Sequence, residues 1–195
     1  MTDTWWFNLI ITLLIIAASG FFVIVEFSLM GARRNRLEET AESSSASRAG
    51  LRSLNELTIM LAGAQLGITA ATFVLGAVTK PWVHHLLMAP LEALGLPLGI
   101  ADVISFLLAL FIVTFLHLVI GEMAPKSWAI AHPETALQLI AVPARGFIWL
   151  FRPLLIWINS MANKLVRMTG EEPVDRAGAA GYDAETLRHL VEPSR

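Results

Sequence analysis

The chain has 195 residues, a formal net charge of −2 and a mean hydropathy of +0.63. Hydrophobic residues make up 55% of it and charged residues 15%, whereas soluble domains average about 45–50% and about 25%. This composition excludes a soluble globular domain, a disordered chain and a nucleic-acid-binding protein, and it predicts an all-α membrane protein. The absence of cysteine excludes disulfides, zinc–thiolate sites and thiol nucleophiles.

Three apolar stretches are long enough to cross a bilayer, which takes about 18 to 20 residues. They predict transmembrane spans at about 5–30, 57–79 and 101–122. The first span has no basic residue before it and several basic residues directly after it. It is therefore predicted to stay in the protein as a signal anchor rather than to be cleaved as a signal peptide.

The 14 Lys and Arg residues are strongly segregated along the chain. None precedes the first span, five lie between the first two spans, one lies between spans two and three, and eight follow span three. The positive-inside rule then places the N-terminus outside and the C-terminus in the cytoplasm. We therefore predict a multi-pass protein of the inner (plasma) membrane, surrounded by membrane lipid.

The segments outside the spans differ in composition. Residues 80–99 hold three prolines and the pair His84 and His85, which predicts a solvated outer loop. Residues 134–168 are apolar but carry four polar residues at seven-residue spacing, namely Gln138, Arg145, Arg152 and Asn159. This pattern predicts an interfacial juxtamembrane amphipathic helix, kinked at Pro143 and Pro153, rather than a fourth span. Residues 171–195 are predicted to be a linker and the start of a cytoplasmic region beyond this chain.

The third span ends in Gly121 and Glu122, shortly before Pro125 and Lys126. Proline lacks a backbone donor and clashes with the preceding turn, so we expect the helix to break or kink near Glu122. A broken helix at membrane depth is tolerated only beside protein or a water-filled cavity. Lys126 either neutralises Glu122 when no ion is bound or anchors the helix at the lipid headgroups.

Each predicted span carries one polar stripe. In the first span the stripe consists of residues seven positions apart, Thr12, Ser19 and Glu26. The second stripe contains Thr58, Gln65, Thr69, Thr72, Gly76 and Thr79. The third contains Thr114, His117 and Gly121, with Glu122 adjacent. If the stripes face one another, they form a polar axis through the bundle.

The polar residues on this axis indicate which ion it would bind. A carboxylate at membrane depth costs about 2.5–3.5 kcal/mol and usually marks an ion pathway. Glu122 is the favoured charged ligand, whereas Glu26 either belongs to the pathway or ends span one and pairs with the arginines that follow. Carboxylate, hydroxyl and carbonyl oxygens suit magnesium, calcium or sodium. His117 stands alone on its stripe, which favours a hydrogen bond to a neighbouring helix over metal ligation. No hydrolytic motif is present, so we do not expect an enzyme.

Four segments resemble the cyclin M and CorC magnesium transporter family, whose bacterial branch is called hemolysin-like. They are SGFFVIVEFSL (19–29), RRNRLE (33–38), AQLGIT (64–69) and GEMAPKS (121–127). The resemblance covers nearly the whole chain and implies a CNNM-type transmembrane domain over residues 1–170. It also implies three spanning helices, a belt of juxtamembrane helices, a homodimer and a cytoplasmic CBS-domain pair in the full-length protein.

The resemblance further implies a magnesium site between the spans, reached from the cytoplasm, and export of Mg²⁺ coupled to Na⁺. Carried over by position, its ligands are Ser19, Gln65, Thr69, Gly121 and Glu122. We assign Glu26, Pro125 and Lys126 to the ion pathway or its gating. The chain departs from the family pattern at Ile68, where many members have asparagine. Isoleucine can offer an ion only its backbone carbonyl at this position.

Two other functions are compatible with parts of this pattern. The same ligands would serve a regulatory or ion-sensing membrane scaffold that modulates another transporter. A membrane-lysing toxin is disfavoured by the ordered three-span topology and by the absence of a secretion signal.

Overall fold

The computed structural model describes residues 4–173, and all regular structure within that range is helical. Helices α1 to α8 are interrupted by two π-helical segments, π1 and π2. In chain order the elements are α1 Trp5–Gly31, α2 Arg34–Ala41, α3 Ser45–Asn55, α4 Leu57–Val74, π1 Leu75–Thr79, α5 Lys80–Ala93, α6 Leu98–Leu116, π2 His117–Met123, α7 Ala124–Ala131 and α8 Pro133–Met168. Most of the predicted linker and cytoplasmic start, 171–195, lies outside the described residues.

Four helical segments are long and apolar enough to cross a membrane, one more than predicted. They are Trp5–Gly31, Leu57–Ala93, Leu98–Ala131 and Pro133–Met168. The first three contain the predicted spans, so the all-α membrane class is confirmed. The fourth is the segment that was predicted to lie at the membrane interface.

The prediction of an outer loop over 80–99 is wrong. The chain continues from α4 through π1 into α5 and turns only after Ala93. Pro81 is accommodated because it lies in the first turn of α5, directly after π1, where Lys80 donates its N–H to the carbonyl of Leu75 five residues back. His84 is not at a loop end, because its Nε2 lies 3.0 Å from the Asp102 Oδ1 on α6.

Near Glu122, where the sequence predicts a break or a kink, the helix does not break. The segment Leu98–Ala131 is continuous, and its turn widens into π2 immediately before the proline. Ala124 donates its N–H to the carbonyl of Val119, five residues back, and Pro125 follows in the first turn of α7. A proline in the first turn of a helix needs no partner for a backbone N–H. The change from π to α hydrogen bonding therefore accommodates Pro125 without breaking the helix.

Helix α8 makes several contacts at the end of the bundle formed by α2 and α3, which we call the connector end. Its first residue, Pro133, packs against Gly31 at the end of α1. Farther along, Gln138 Nε2 donates to Ser47 Oγ on α3 at 2.9 Å, and Arg152 lies 3.1 Å from Glu56 at the start of α4. Because both halves of α8 contact the same end, these contacts support the juxtamembrane interpretation. The helix continues through both of its internal prolines.

Glycines in α4 allow close contact with its neighbours. A Cβ on Gly63 would lie 1.8 Å from Ile148 of α8, and one on Gly67 would lie 2.4 Å from the ring of Phe22 in α1. Small residues allow such approaches in lipid, where burial of apolar surface provides no driving force. Gly76 differs, because the described part of the chain has no atom within 4 Å of its Cβ position.

We therefore expect Gly67→Ala to destabilise the domain by about 1–3 kcal/mol, the usual cost of overpacking. The Phe22 ring has little room to move, because it packs against Phe147 at 4.7 Å between centroids. Thermal unfolding of the detergent-purified protein measures the effect. Gly76→Ala is the matched control and should leave the unfolding temperature unchanged; equal effects of the two substitutions would refute the packing account.

The junction of α1 and α8 is held by Arg33 and Glu134. Glu134 Oε1 accepts hydrogen bonds from the Arg33 backbone N–H at 3.2 Å and from its Nε at 3.3 Å. Partial burial raises the pKa of Glu134, but backbone hydrogen bonds and the Arg33 guanidinium outweigh it and lower the pKa below the ordinary value of 4.5. A lowered carboxyl pKa contributes stability above the ordinary value, and this is lost as pH falls through the folded-state pKa.

Glu134→Gln should therefore lower the free energy of unfolding at neutral pH by at most about 1 kcal/mol, since Arg33 is largely exposed. The difference from wild type should shrink as pH falls below 4.5. Unfolding temperatures measured across this pH range test it, with exposed Glu39→Gln as the control. A difference that stayed constant with pH would show that the ion pair is not its cause.

Candidate ion site

The polar stripe of α1 meets polar side chains from two other segments. Each of its residues has one such partner: Thr12 contacts Thr79, Ser19 contacts His117, and Glu26 contacts Gln65. Residues seven apart on a helix are separated by about 10 Å along its axis. The three contacts therefore form a polar row along α1, as the sequence predicted.

The contact farthest from the connector end joins two buried threonines. Thr12 Oγ1 and Thr79 Oγ1 lie 2.8 Å apart, and both side chains are almost fully buried. Thr79 is the last residue of π1. This hydrogen bond closes the row at the end opposite the connector end.

The central contact forms where α1 crosses π2. Ser19 Oγ is fully buried and lies 2.8 Å from His117 Nε2, which in turn lies 3.7 Å from Glu122 Oε1. Gly121 sits directly beside them, since a Cβ there would lie 3.5 Å from Ser19 Oγ and 2.7 Å from His117 Cδ2. Only glycine fits without displacing the imidazole.

Glycine and proline bring the two helices together on the other side of this crossing. A Cβ on Gly20 would lie 3.0 Å from Pro125 Cγ and 3.8 Å from the carbonyl oxygen of Gly121. The main chain of π2 therefore runs close to α1. This approach brings the carbonyl of Gly121 to the crossing where Ser19 is buried.

The π geometry explains why His117 and Glu122 share one side of the helix. In an α-helix, residues five apart are rotated by about 140° relative to each other, so the two side chains would point apart. In a π-helix roughly four and a half residues make a turn, and residues five apart nearly coincide in direction. The segment His117–Met123 thus brings the Glu122 carboxylate to the imidazole.

The central cluster offers oxygen ligands with a single formal negative charge. Whichever of Ser19 and His117 donates their hydrogen bond, the Ser19 oxygen keeps a lone pair. The Glu122 side chain keeps 32% of its surface exposed, so an ion can reach it. Within residues 4–173 no group of three or more His, Asp or Glu is placed to hold a metal ion. A hydroxyl, a carbonyl and one carboxylate suit a hard cation.

The contact nearest the connector end is that of Glu26. Its Oε1 accepts a hydrogen bond from Gln65 Nε2 at 3.1 Å. Of the arginines after span one, Arg33 pairs with Glu134 and Arg34 with Glu38. Glu26 therefore belongs to the polar row, and the alternative of pairing with those arginines is not what the structure shows.

Comparison with known proteins identifies the family. The profile described as "Cyclin M transmembrane N-terminal domain" matches residues 9–195. The chain belongs to this cyclin M family. It is thus a multi-pass membrane domain of a metal-transporter family, as the sequence motifs indicated.

Bacterial relatives support the assignment. Protein Rv1841c of Mycobacterium tuberculosis (strain H37Rv) is 38% identical over 94% of this chain and 52% of its own length. The UPF0053 proteins YhdT and YhdP of Bacillus subtilis are 35% and 34% identical over 96% of this chain, but over only 41% and 42% of their own lengths. The chain therefore spans about half the length, or less, of these relatives.

The structure brings together three of the five ligands that the cyclin M resemblance implied. Ser19, Gly121 and Glu122 meet at the crossing of α1 and π2. Gln65 instead bonds Glu26, two turns along α1, and Thr69 is exposed on the surface of α4. The magnesium-ligand assignment for this cyclin M domain stays a prediction.

Two residues outside the predicted ligand set lie at the level of the central site. His117 makes the hydrogen bond to a neighbouring helix that its isolated position favoured. Gln65 contacts Glu26 and Thr79 contacts Thr12, so the two segments run antiparallel with a fixed register. Thr72 lies midway between Gln65 and Thr79, and this register puts it at the level of Ser19. The Thr72 hydroxyl donates to the carbonyl of Ile68 at 2.9 Å. The matching seven-residue spacings of the two stripes carry this signal in the sequence.

Lys126 does not neutralise Glu122 in the structure. Its Nζ lies 4.7 Å from the ring centroid of Phe27, a cation–π contact on α1. Among the described residues, the basic side chain within 4.0 Å of the Glu122 carboxylate is His117, whose Nε2 lies 3.7 Å from Oε1. The contact with Phe27 places Lys126 against α1, and its role as a headgroup anchor stays a prediction.

We predict that Ser19→Ala destabilises the domain by about 1–3 kcal/mol, because it leaves the buried His117 Nε2 without its hydrogen bond. Ser28→Ala is the control, since Ser28 is equally buried on α1 but donates only to the carbonyl of Val25 in its own helix. Thermal unfolding in detergent compares the two variants. A loss as large for Ser28→Ala as for Ser19→Ala would contradict the assigned role.

Proposed function

We propose that this domain carries Mg²⁺ across the plasma membrane, as export coupled to Na⁺, with the ion bound at the central cluster of the polar row. The observation that supports this most strongly is the π2 segment. It places the Glu122 carboxylate 3.7 Å from His117 Nε2, which lies 2.8 Å from the buried hydroxyl of Ser19, and it places Gly121 beside that hydroxyl. Ionisable groups at membrane depth usually mark an ion pathway.

Magnesium sets a demanding condition for such a site. It gives up its hydration water reluctantly and keeps several waters unless several oxygens converge on it. One chain supplies a hydroxyl, a carboxylate and backbone carbonyls at the crossing of α1 and π2. Partial dehydration at this cluster is therefore the form of binding that we propose.

The outward face of α4 supports a homodimer. Gln65, Thr69 and Thr72 are all exposed on the single chain. Polar side chains that faced lipid would be unfavourable, so we propose that a second copy covers this face. Such a dimer would bring further oxygen ligands to the level of Ser19.

The polar row also suggests how the ion moves. The Thr12–Thr79 contact closes the row at one end, whereas Glu26 and Gln65 lie toward the connector end. With the predicted orientation, N-terminus outside and C-terminus cytoplasmic, the connector end faces the cytoplasm, and Glu26 forms the entrance. A cytoplasmic CBS-domain pair, expected in the full-length protein, would follow the connector end.

Thermal stability against added ions tests the site. A ligand that binds only the folded state stabilises it by about 2.7 kcal/mol at one hundred times its dissociation constant. We expect Mg²⁺ to raise the unfolding temperature of the detergent-purified domain and Glu122→Gln to abolish the rise.

The control for this experiment is Glu92→Gln, which removes an exposed carboxylate from α5 and should keep the Mg²⁺ response. Ca²⁺ and Na⁺ at matched ionic strength separate specific binding from a salt effect. A Mg²⁺ response that survives in Glu122→Gln would place the ion elsewhere.

A further inference from the structure

A cleft of about 660 Å³ opens between the start of α4 and the last four turns of α8. It lies at the connector end, separate from the polar row. One wall is apolar and is formed by Ile59, Leu155 and Ile156. The other wall is polar and is formed by Asn159, Ser160, Asn163, Lys164 and Arg167.

The polar wall carries two positive charges. Lys164 and Arg167 are exposed, and among residues 4–173 no carboxylate lies within 4.0 Å of either one. Asn159 and Asn163 are four residues apart, so they lie on the same side of α8 and point to one space. Two cations with adjacent amide groups form a set of donors that fits a phosphate group.

The floor of the cleft contains an unused polar atom. Thr58 Oγ1 has almost no exposed surface and no hydrogen-bond partner within the described residues, and Thr58 lines the cleft. A buried hydroxyl without a partner costs about 1–3 kcal/mol, so such groups are usually satisfied by an additional molecule or by water. Thr58 Oγ1 therefore has unused hydrogen-bonding capacity beside the cleft.

We propose that this cleft binds the headgroup of an anionic phospholipid. The juxtamembrane position of α8 puts the cleft at the depth of lipid phosphates, and the apolar wall suits the glycerol and first methylenes of a lipid rather than a free anion. Basic side chains beside a membrane span attract anionic lipid. The bound lipid would bridge α4, which carries Gln65 of the polar row, to the end of α8.

The test compares phosphatidylglycerol with phosphatidylcholine, added at equal mole ratio to the full chain in non-ionic detergent. Retained lipid is counted by native mass spectrometry, and the unfolding temperature is recorded. We expect phosphatidylglycerol to be retained and to raise the unfolding temperature, and phosphatidylcholine to do neither. Equal retention of both lipids would overturn the proposal.

The decisive variant combines Lys164→Gln with Arg167→Gln. Both side chains are exposed, so the variant is expected to fold, and the loss of two cations should weaken phosphatidylglycerol binding roughly 10- to 30-fold. The control combines Arg36→Gln with Arg52→Gln, which removes two exposed charges from the connector end outside the cleft. Equal losses in the two double variants would show a general charge effect and refute the site.

Two further arms locate the ligand and its source. Thr58→Val should reduce retention of phosphatidylglycerol without changing the charge; unchanged retention would remove Thr58 from the site. Inorganic phosphate at the same concentration should not reproduce the rise in unfolding temperature, because it cannot use the apolar wall. A full rise with phosphate would overturn the assignment to a lipid.

Discussion

The structure depends on one constraint, which is that a polar side chain buried in a membrane helix bundle must find a polar partner. On α1 the buried Thr12 and Ser19 satisfy it with a hydroxyl and an imidazole, and the partly buried Glu26, seven residues farther on, accepts from the amide of Gln65. These contacts fix the register of α1 against α4 and π2, and glycines at the crossings permit the short distances. The ion site and the bundle are therefore stabilised by the same contacts.

The two π segments connect this constraint to function. Each one ends two positions before a proline. Each also has a residue of the polar row at one end: Thr79 is the last residue of π1 and His117 is the first residue of π2. Because the wider turn changes which side chains share a direction, Glu122 can reach His117 while the long helix stays continuous. A π segment inside an α-helix is often found at a functional site, and here it positions the one carboxylate of the central cluster.

The spans could be predicted from the sequence because long apolar stretches are typical of membrane helices. The polar row could be predicted because residues seven apart lie on the same face of a helix. The motifs around Ser19 and Glu122 also identified the family. The continuous helices through Pro81 and Pro125 were missed, because a proline signals a break unless a change of helical register is foreseen. The pairing of Gln65 with Glu26 depends on how α1 lies against α4, and contacts such as that of Gly67 with Phe22 decide this.

The most direct test of the central claim is Mg²⁺ flux in liposomes that contain only this protein, loaded with a Mg²⁺-sensitive dye. Because the chain has no cysteine and the Glu122→Gln change keeps the size of the side chain, wild type and variant can be reconstituted in the same way. The account predicts Mg²⁺ flux above that of protein-free liposomes for wild type and none above that background for Glu122→Gln. Equal flux in the two proteins, or no flux with wild type, would contradict transport through this site.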